Sequence, residues 1–280
     1  MVELETPVLD DHLHLHPDGR GAAAAAEFAR AGGTHLLVVN RPSWHFVDGV
    51  RDEGAFETAF EATIELVAAA TERLPGRAWA VLGVHPAVVN HLVDDVGLDL
   101  DRAGELMATG IERAAAHVEA GRALALKSGR PHYEVDEDVW AASNRQLRRA
   151  LELAAEVGCA LQLHTEATDD LTEVAGWARR AGLEPHRVVK HFATGAVAGV
   201  TPSVIARSEA VDAATSLDRF LLETDFLDDP DRPGAVLGPK VVPRRSRALA
   251  EAGHEDVLEV AHVETPRVVY GIDTRRTLGA

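Results

Sequence analysis

The stretch Leu9–Pro17, LDDHLHLHP, alternates three histidines with leucine directly after two aspartates. Side chains alternate along an extended segment, so His12 and His14 share one face and Leu13 takes the other. Two imidazoles on one face can put two nitrogens on one divalent cation at about 2.0–2.1 Å. A lone histidine reads as a satisfied core residue, whereas an HxH pair closing a strand reads as a metal-binding pair. His16 falls past the strand and reads as a substrate contact or a surface residue. Later segments repeat the theme: LQLHTE presents His164, VVKHFA presents His191 and RFLLETDF presents Asp225. Each is weak evidence alone. Together they place five metal-type side chains at the ends of apolar runs.

The chain alternates short apolar runs with longer segments of helical spacing. PVLDDHLH, THLLVVNR, AWAVLGVH, RALALKS, ALQLHTE, RVVKHFA and RFLLETDF read as strands, with an eighth in VAGVTPSVIA or SEAVDAAT. The segments between them carry apolar residues at helical spacing, and most close on glycine, a frequent helix terminator. About eight strand–helix units in a chain of this length predict an α/β fold of the TIM (β/α)8 barrel type, one domain over residues 1–280. In a barrel the strand ends converge on one mouth, which explains polar residues on nearly every strand end. An open doubly wound sheet would decorate only the strands at its switch point, and no GxGxxG follows a strand.

The net charge is −17, and only three lysines occur, Lys127, Lys190 and Lys240. That balance argues against nonspecific polyanion binding, which needs a cationic surface. Excess acid with scarce lysine reads as a halophilic surface adaptation. Each lysine therefore calls for a local reason. The one cysteine, Cys159, excludes an internal disulfide, suits a cytoplasmic protein and reads as a small buried strand residue. No apolar run reaches a membrane span, and the acidic start, MVELETP, lacks a signal-peptide pattern.

The order HxH, a strand-four ligand, His, His and Asp resembles that of the amidohydrolase superfamily. More narrowly, DDHLHL, GVHP, SGRPHY, HTE, KHF and ETDFLDDP resemble the TatD-related metal-dependent hydrolases in their archaeal branch, and the likeness extends to ETPRVVYGID. One departure stands out. The family usually carries a glutamate on strand four, in a motif like GEIGRPH, where this chain reads LKSGRPH and places Lys127. A free ammonium cannot ligate a cation. Either CO2 carboxylates Lys127 to a bridging carbamate, as in phosphotriesterase-like enzymes, or the lysine stays charged and displaces one metal. Burial near cations favours the neutral amine that carboxylation requires.

The resemblance implies two divalent cations, zinc by the mixed imidazole and carboxylate set, sharing a hydroxide. His12, His14, Lys127 and Asp225 would hold the deeper one; Lys127, His164 and His191 the outer one. Asp225 would also be the catalytic proton carrier. His85 in GVHP faces substrate in the family, while Arg130 and His132 in SGRPHY are candidates for an anionic group. Lys190 alternates out of the barrel. Glu166 reads as a substrate contact or a helix cap near Asp169, and Asp228 and Asp229 as solvated loop charges. His35, His45, His91, His117, His186, His254 and His262 read as ordinary. The TatD likeness implies phosphodiester hydrolysis, including deoxyribonuclease action at a DNA end. Lys127 instead suggests a lactonase, phosphotriesterase or cyclic-amide hydrolase. A nuclease needs a cationic lip, and a small-molecule hydrolase a more closed pocket with a hydrophobic rim. A non-catalytic, metal-stabilised binding protein is the reading from another class, which Asp225 opposes.

Overall fold

A computed structural model describes residues 4–278; Met1–Glu3 of the acidic start lie outside it. The strands are β1 (Leu9–His14), β2 (His35–Val39), β3 (Ala78–Gly83), β4 (Ala125–Gly129), β5 (Ala160–His164), β6 (Val188–Ala193), β7 (Thr201–Ile205), β8 (Leu221–Glu223) and β9 (Phe226–Leu227). All pair in parallel, in the order β8-β7-β6-β5-β4-β3-β2-β1-β9. Only Thr224 and Asp225 separate β8 from β9, so these are two halves of one strand. Asp225 N–H donates to the His12 carbonyl at 2.9 Å, and β9 pairs with β1. The curled sheet therefore closes on itself, giving the expected barrel.

The seventh strand resolves the ambiguity between VAGVTPSVIA and SEAVDAAT. Thr201–Ile205 is extended, while Ser208–Ala214 is a helix. Val204 and Ile205 are β-branched and fully buried, whereas the later segment spaces Ala210, Val211 and Ala214 along a helix face. The connecting helices lie where the apolar spacing puts them, the longest at Gly54–Thr71, Leu100–Glu119 and Glu137–Glu156.

Inside the barrel, Leu9, Leu37, Val39, Val81, Ala125, Ala160, Val189 and Leu221 form one cluster. Val269, Tyr270 and Ile272 plug its lower end. Outward-facing strand residues, such as Leu82, Leu126, Leu161 and Leu163, pack against the helices instead. This separation is the period-two pattern read from the sequence. Bare glycines end β3 and β4. A Cβ on Gly83 would stand 1.8 Å from the Lys127 carbonyl oxygen, and one on Gly129 would stand 1.7 Å from that of His164. Glycine thus lets the backbones approach beside two candidate site residues.

Candidate metal centre

The strand ends deliver His12, His14, Lys127, His164, His191 and Asp225 to one cavity of about 530 Å³, together with His85 and His132. Two of the expected ligands are oriented by hydrogen bonds on their Nδ1 atoms. His12 Nδ1 donates to Gln162 Oε1 at 2.8 Å, and His14 Nδ1 donates to the Val39 carbonyl at 2.7 Å. Each proton fixed on Nδ1 leaves a lone pair on Nε2. Those two Nε2 atoms lie 3.3 Å apart. A tetrahedral cation with bonds of about 2.0–2.1 Å spaces two ligand nitrogens by about 3.3 Å.

Asp225 completes the group. Its φ of 48° is left-handed, a conformation that aspartate tolerates better than most residues. The turn breaks the eighth strand and sets Oδ1 3.6 Å from His14 Nε2 and 3.9 Å from His191 Nε2. His191 stacks on His12, ring centres 3.7 Å apart, and its Nδ1 faces Oε1 of the fully buried Glu223 at 2.8 Å. Donor atoms of His12, His14 and Asp225 all fall within 4.8 Å of one another. His191, expected with the outer cation, therefore also reaches the inner group.

The electrostatics suit a cation. Burial pushes the pKa values of His12, His14, His85 and His164 well below the usual histidine range, and that of His191 down to about 4. All five are neutral ligand-type imidazoles at pH 7. Burial raises Asp225 to about 6 and Glu223 to about 8, and the charges of Lys127 and Lys190 offset it only in part. Lys127 is buried, and burial lowers it to about 7. Its Nζ donates to the Asn40 carbonyl at 2.8 Å, and no described carboxylate oxygen lies within 4 Å of it. The histidine and carboxylate donors, neutral imidazoles and held Nδ1 protons all fit a divalent metal.

Other expectations change. Arg130 does not line the cavity. It lies between the Trp140 and Trp177 rings and binds Glu166, with Nε to Oε2 at 2.8 Å. Arg130 and Glu166 therefore satisfy each other, and neither is a free anchor for an anion. Asp170, not Glu166, accepts the Thr172 N–H at the helix start. His16 is buried; its Nδ1 accepts from Asp18 N–H at 3.2 Å and its Nε2 donates to the His45 carbonyl at 3.0 Å. Asp228 is also buried, accepting the backbone N–H groups of His16, Arg20 and Gly21. Asp229 pairs with Arg41 at 3.0 Å and Arg232 at 3.2 Å. Lys190 is buried outside the barrel interior, and Nζ donates to its neighbour's carbonyl at 2.6 Å.

Arg41, Trp44, His45, Gln162 and Arg232 line the cavity without having been singled out. Gln162 was visible in principle, since it stands two residues before His164 and thus on the same strand face. A separate group, Glu57, Glu61 and His117, also brings donor atoms together on the outer helices. Arg122 already bonds both Glu61 and His117 there, so a cation has no role.

A closed parallel barrel with histidines and an aspartate converging at its strand ends defines the metal-dependent hydrolase class of TIM-barrel proteins. The chain belongs to the TatD family: the model described as "TatD related DNase" matches residues 9–267. An uncharacterised protein of Methanocaldococcus jannaschii, MJ1127, is 34% identical over 95% of this chain and 96% of its own length. Among solved structures, the TatD homologue YjjV of Escherichia coli matches with a TM-score of 0.61 at 18% identity, over 95% of this chain and 98% of its own. A variant of the organophosphorus hydrolase from Deinococcus radiodurans matches at 0.58 and 15% identity, over 97% and 95%. No described helix is long and apolar enough to cross a membrane.

Proposed function

We propose that this TatD-family hydrolase cleaves small, largely apolar esters, lactones first, using Lys127 as a carbamate. The observation that carries this reading is the environment of Lys127. A buried lysine with one carbonyl partner stands in a cavity lined by seven imidazoles and Asp225. Carboxylation forms one N–C bond: the neutral amine attacks CO2, a proton leaves, and the product is an anion. The carbamate nitrogen keeps one hydrogen, so the bond to the Asn40 carbonyl survives. An anion there could bridge two cations as a glutamate would.

Divalent cations supply Lewis acidity, acidifying water and polarising an ester oxygen. The chain does the rest. His12, His14, His191 and Asp225 would hold the inner cation, with Lys127 and His164 directed to the outer. Asp225, set against His14 and His191, would take a proton and return it to the leaving oxygen. His85 Nδ1 accepts the Ala87 N–H at 3.1 Å, so a neutral His85 carries its proton on Nε2 and can donate to substrate. Pro42, Trp44, Leu227 and Val236 give the cavity an apolar wall. The two rim arginines, Arg41 and Arg232, are committed to Asp229, which leaves little cationic lip for a nucleic acid.

The second reading, phosphodiester hydrolysis at a DNA end, draws on the family description and on Arg232, whose side chain is 60% exposed at the mouth. A panel of γ-lactones, aryl esters, aryl phosphotriesters and end-labelled duplex DNA separates them. The expected result is lactone turnover that chelation abolishes, absent in Lys127→Ala and partly restored to it by added short carboxylic acids with metal. DNA cleavage with lactones inert would overturn the proposal.

A further inference from the structure

We infer that His132 is a ligand of the outer cation, paired with His164, and not a substrate contact. This rests on the two-cation reading of the site. His132 Nδ1 lies 3.0 Å from His164 Nε2. Only one other pair of imidazole nitrogens among the described residues approaches so closely, His12 and His14 at 3.3 Å. Both separations lie near the about 3.3 Å that a shared tetrahedral cation imposes. The rings also meet edge to face, centres 4.9 Å apart.

The contact is braced on both sides. On one, Arg130 ties the loop after β4 to Glu166 and Thr165 and lies over Trp140. On the other, the Tyr133 hydroxyl donates to Asn90 Oδ1 at 2.7 Å. Anchors at Arg130, two residues before, and Tyr133, one residue after, hold His132 over the cavity, although its own side chain is exposed. His164, unlike His12 and His14, has no hydrogen-bond partner on its Nδ1 among the described residues. Its orientation is set by His132 and by His85, whose ring centre lies 4.4 Å away. His85 itself is excluded as an Nε2 ligand while its Nδ1 accepts from Ala87, because a neutral ring then carries the proton on Nε2. The outer cation would thus rest on His164, His132 and the Lys127 anion.

The test is zinc stoichiometry and affinity by competition with a chromogenic chelator, in bicarbonate buffer, on the full chain and on His132→Ala and His85→Ala. The wild type should bind two zinc ions. His132→Ala should keep one unchanged and weaken the other by more than ~100-fold, beyond the ~10–100-fold that loss of an outer-shell partner costs. His85→Ala should keep both. His132 is exposed, so its loss leaves the fold intact, and unchanged melting of the metal-free variant checks this. Two ions at wild-type affinity in His132→Ala would overturn the inference and leave the hydrolase reading standing. A wild type that binds fewer than two ions would overturn both.

Discussion

Glu223 stands two residues before Asp225 and is completely buried. Its Oε1 lies 2.8 Å from His191 Nδ1 and accepts the Phe192 N–H at 3.0 Å. Glu223→Ala would remove the buried carboxylate that His191 Nδ1 faces and free the ring to rotate. Carboxylates that hold a metal-ligating imidazole in place are worth ~10–100-fold in metal affinity, or about 1.4–2.7 kcal/mol. Glu223→Gln keeps an acceptor oxygen at the same place and loses only the capacity to ionise. It should therefore fall at the weak end, near ~10-fold, with Ala near ~100-fold. Zinc titration against a chelator, with melting of the metal-free forms as a control, reads both. A Glu223→Ala protein binding zinc within threefold of wild type would refute the positioning role. Equal losses in Gln and Ala would show that charge, and not ring orientation, is what Glu223 supplies.

Asp228→Ala should cost about 3 kcal/mol or more of stability, since backbone N–H groups of His16, Arg20 and Gly21 lose their acceptor; urea unfolding measures it, and a loss under 1 kcal/mol would contradict the assignment. Acid should destabilise the fold through two core histidines distant from the mouth. Burial lowers His262 to about 3 and His35 to about 4, so the unfolded chain binds protons first, and stability present above pH 6.5 is lost as pH falls toward those values. Each contributes about 2 kcal/mol of loss by pH 5. His262→Gln should flatten the pH 7 to pH 5 slope in urea titrations, and an unchanged slope would remove His262 from the account.

Much of this site was legible because strand periodicity is rigid. HxH had to place two imidazoles on one side of β1, and apolar runs ending in His or Asp had to meet at one end of a barrel. What escaped is what periodicity cannot encode. Asp228 and Asp229 look like loop charges because their partners lie about two hundred residues earlier. Arg130 looks like an anion receptor by residue type, and only the third dimension shows Glu166 and two indoles already around it. The split of the eighth strand depends on one left-handed residue, Asp225, which local propensity does not announce.

Charge balance links the identity of residue 127 to the number of metals. Buried acids and buried imidazoles are here displaced in opposite directions. Asp11 and Glu223 rise to about 8 and Asp225 to about 6, while the imidazoles fall. Both shifts drive the metal-free interior toward neutrality, since the low-dielectric barrel tolerates little net charge. Two dications would bring four positive charges. On the carbamate reading proposed above, Asp11, Glu223, Asp225 and residue 127 would offer four negative ones, with Asp10 a further buried acid held by Thr224. With Lys127 cationic, the same acids leave a net charge of minus two, enough for one dication. The strand-four residue therefore acts as more than one ligand among several. On the proposed reading, CO2 on Lys127 would change the charge there by two, where a glutamate would carry its negative charge without CO2.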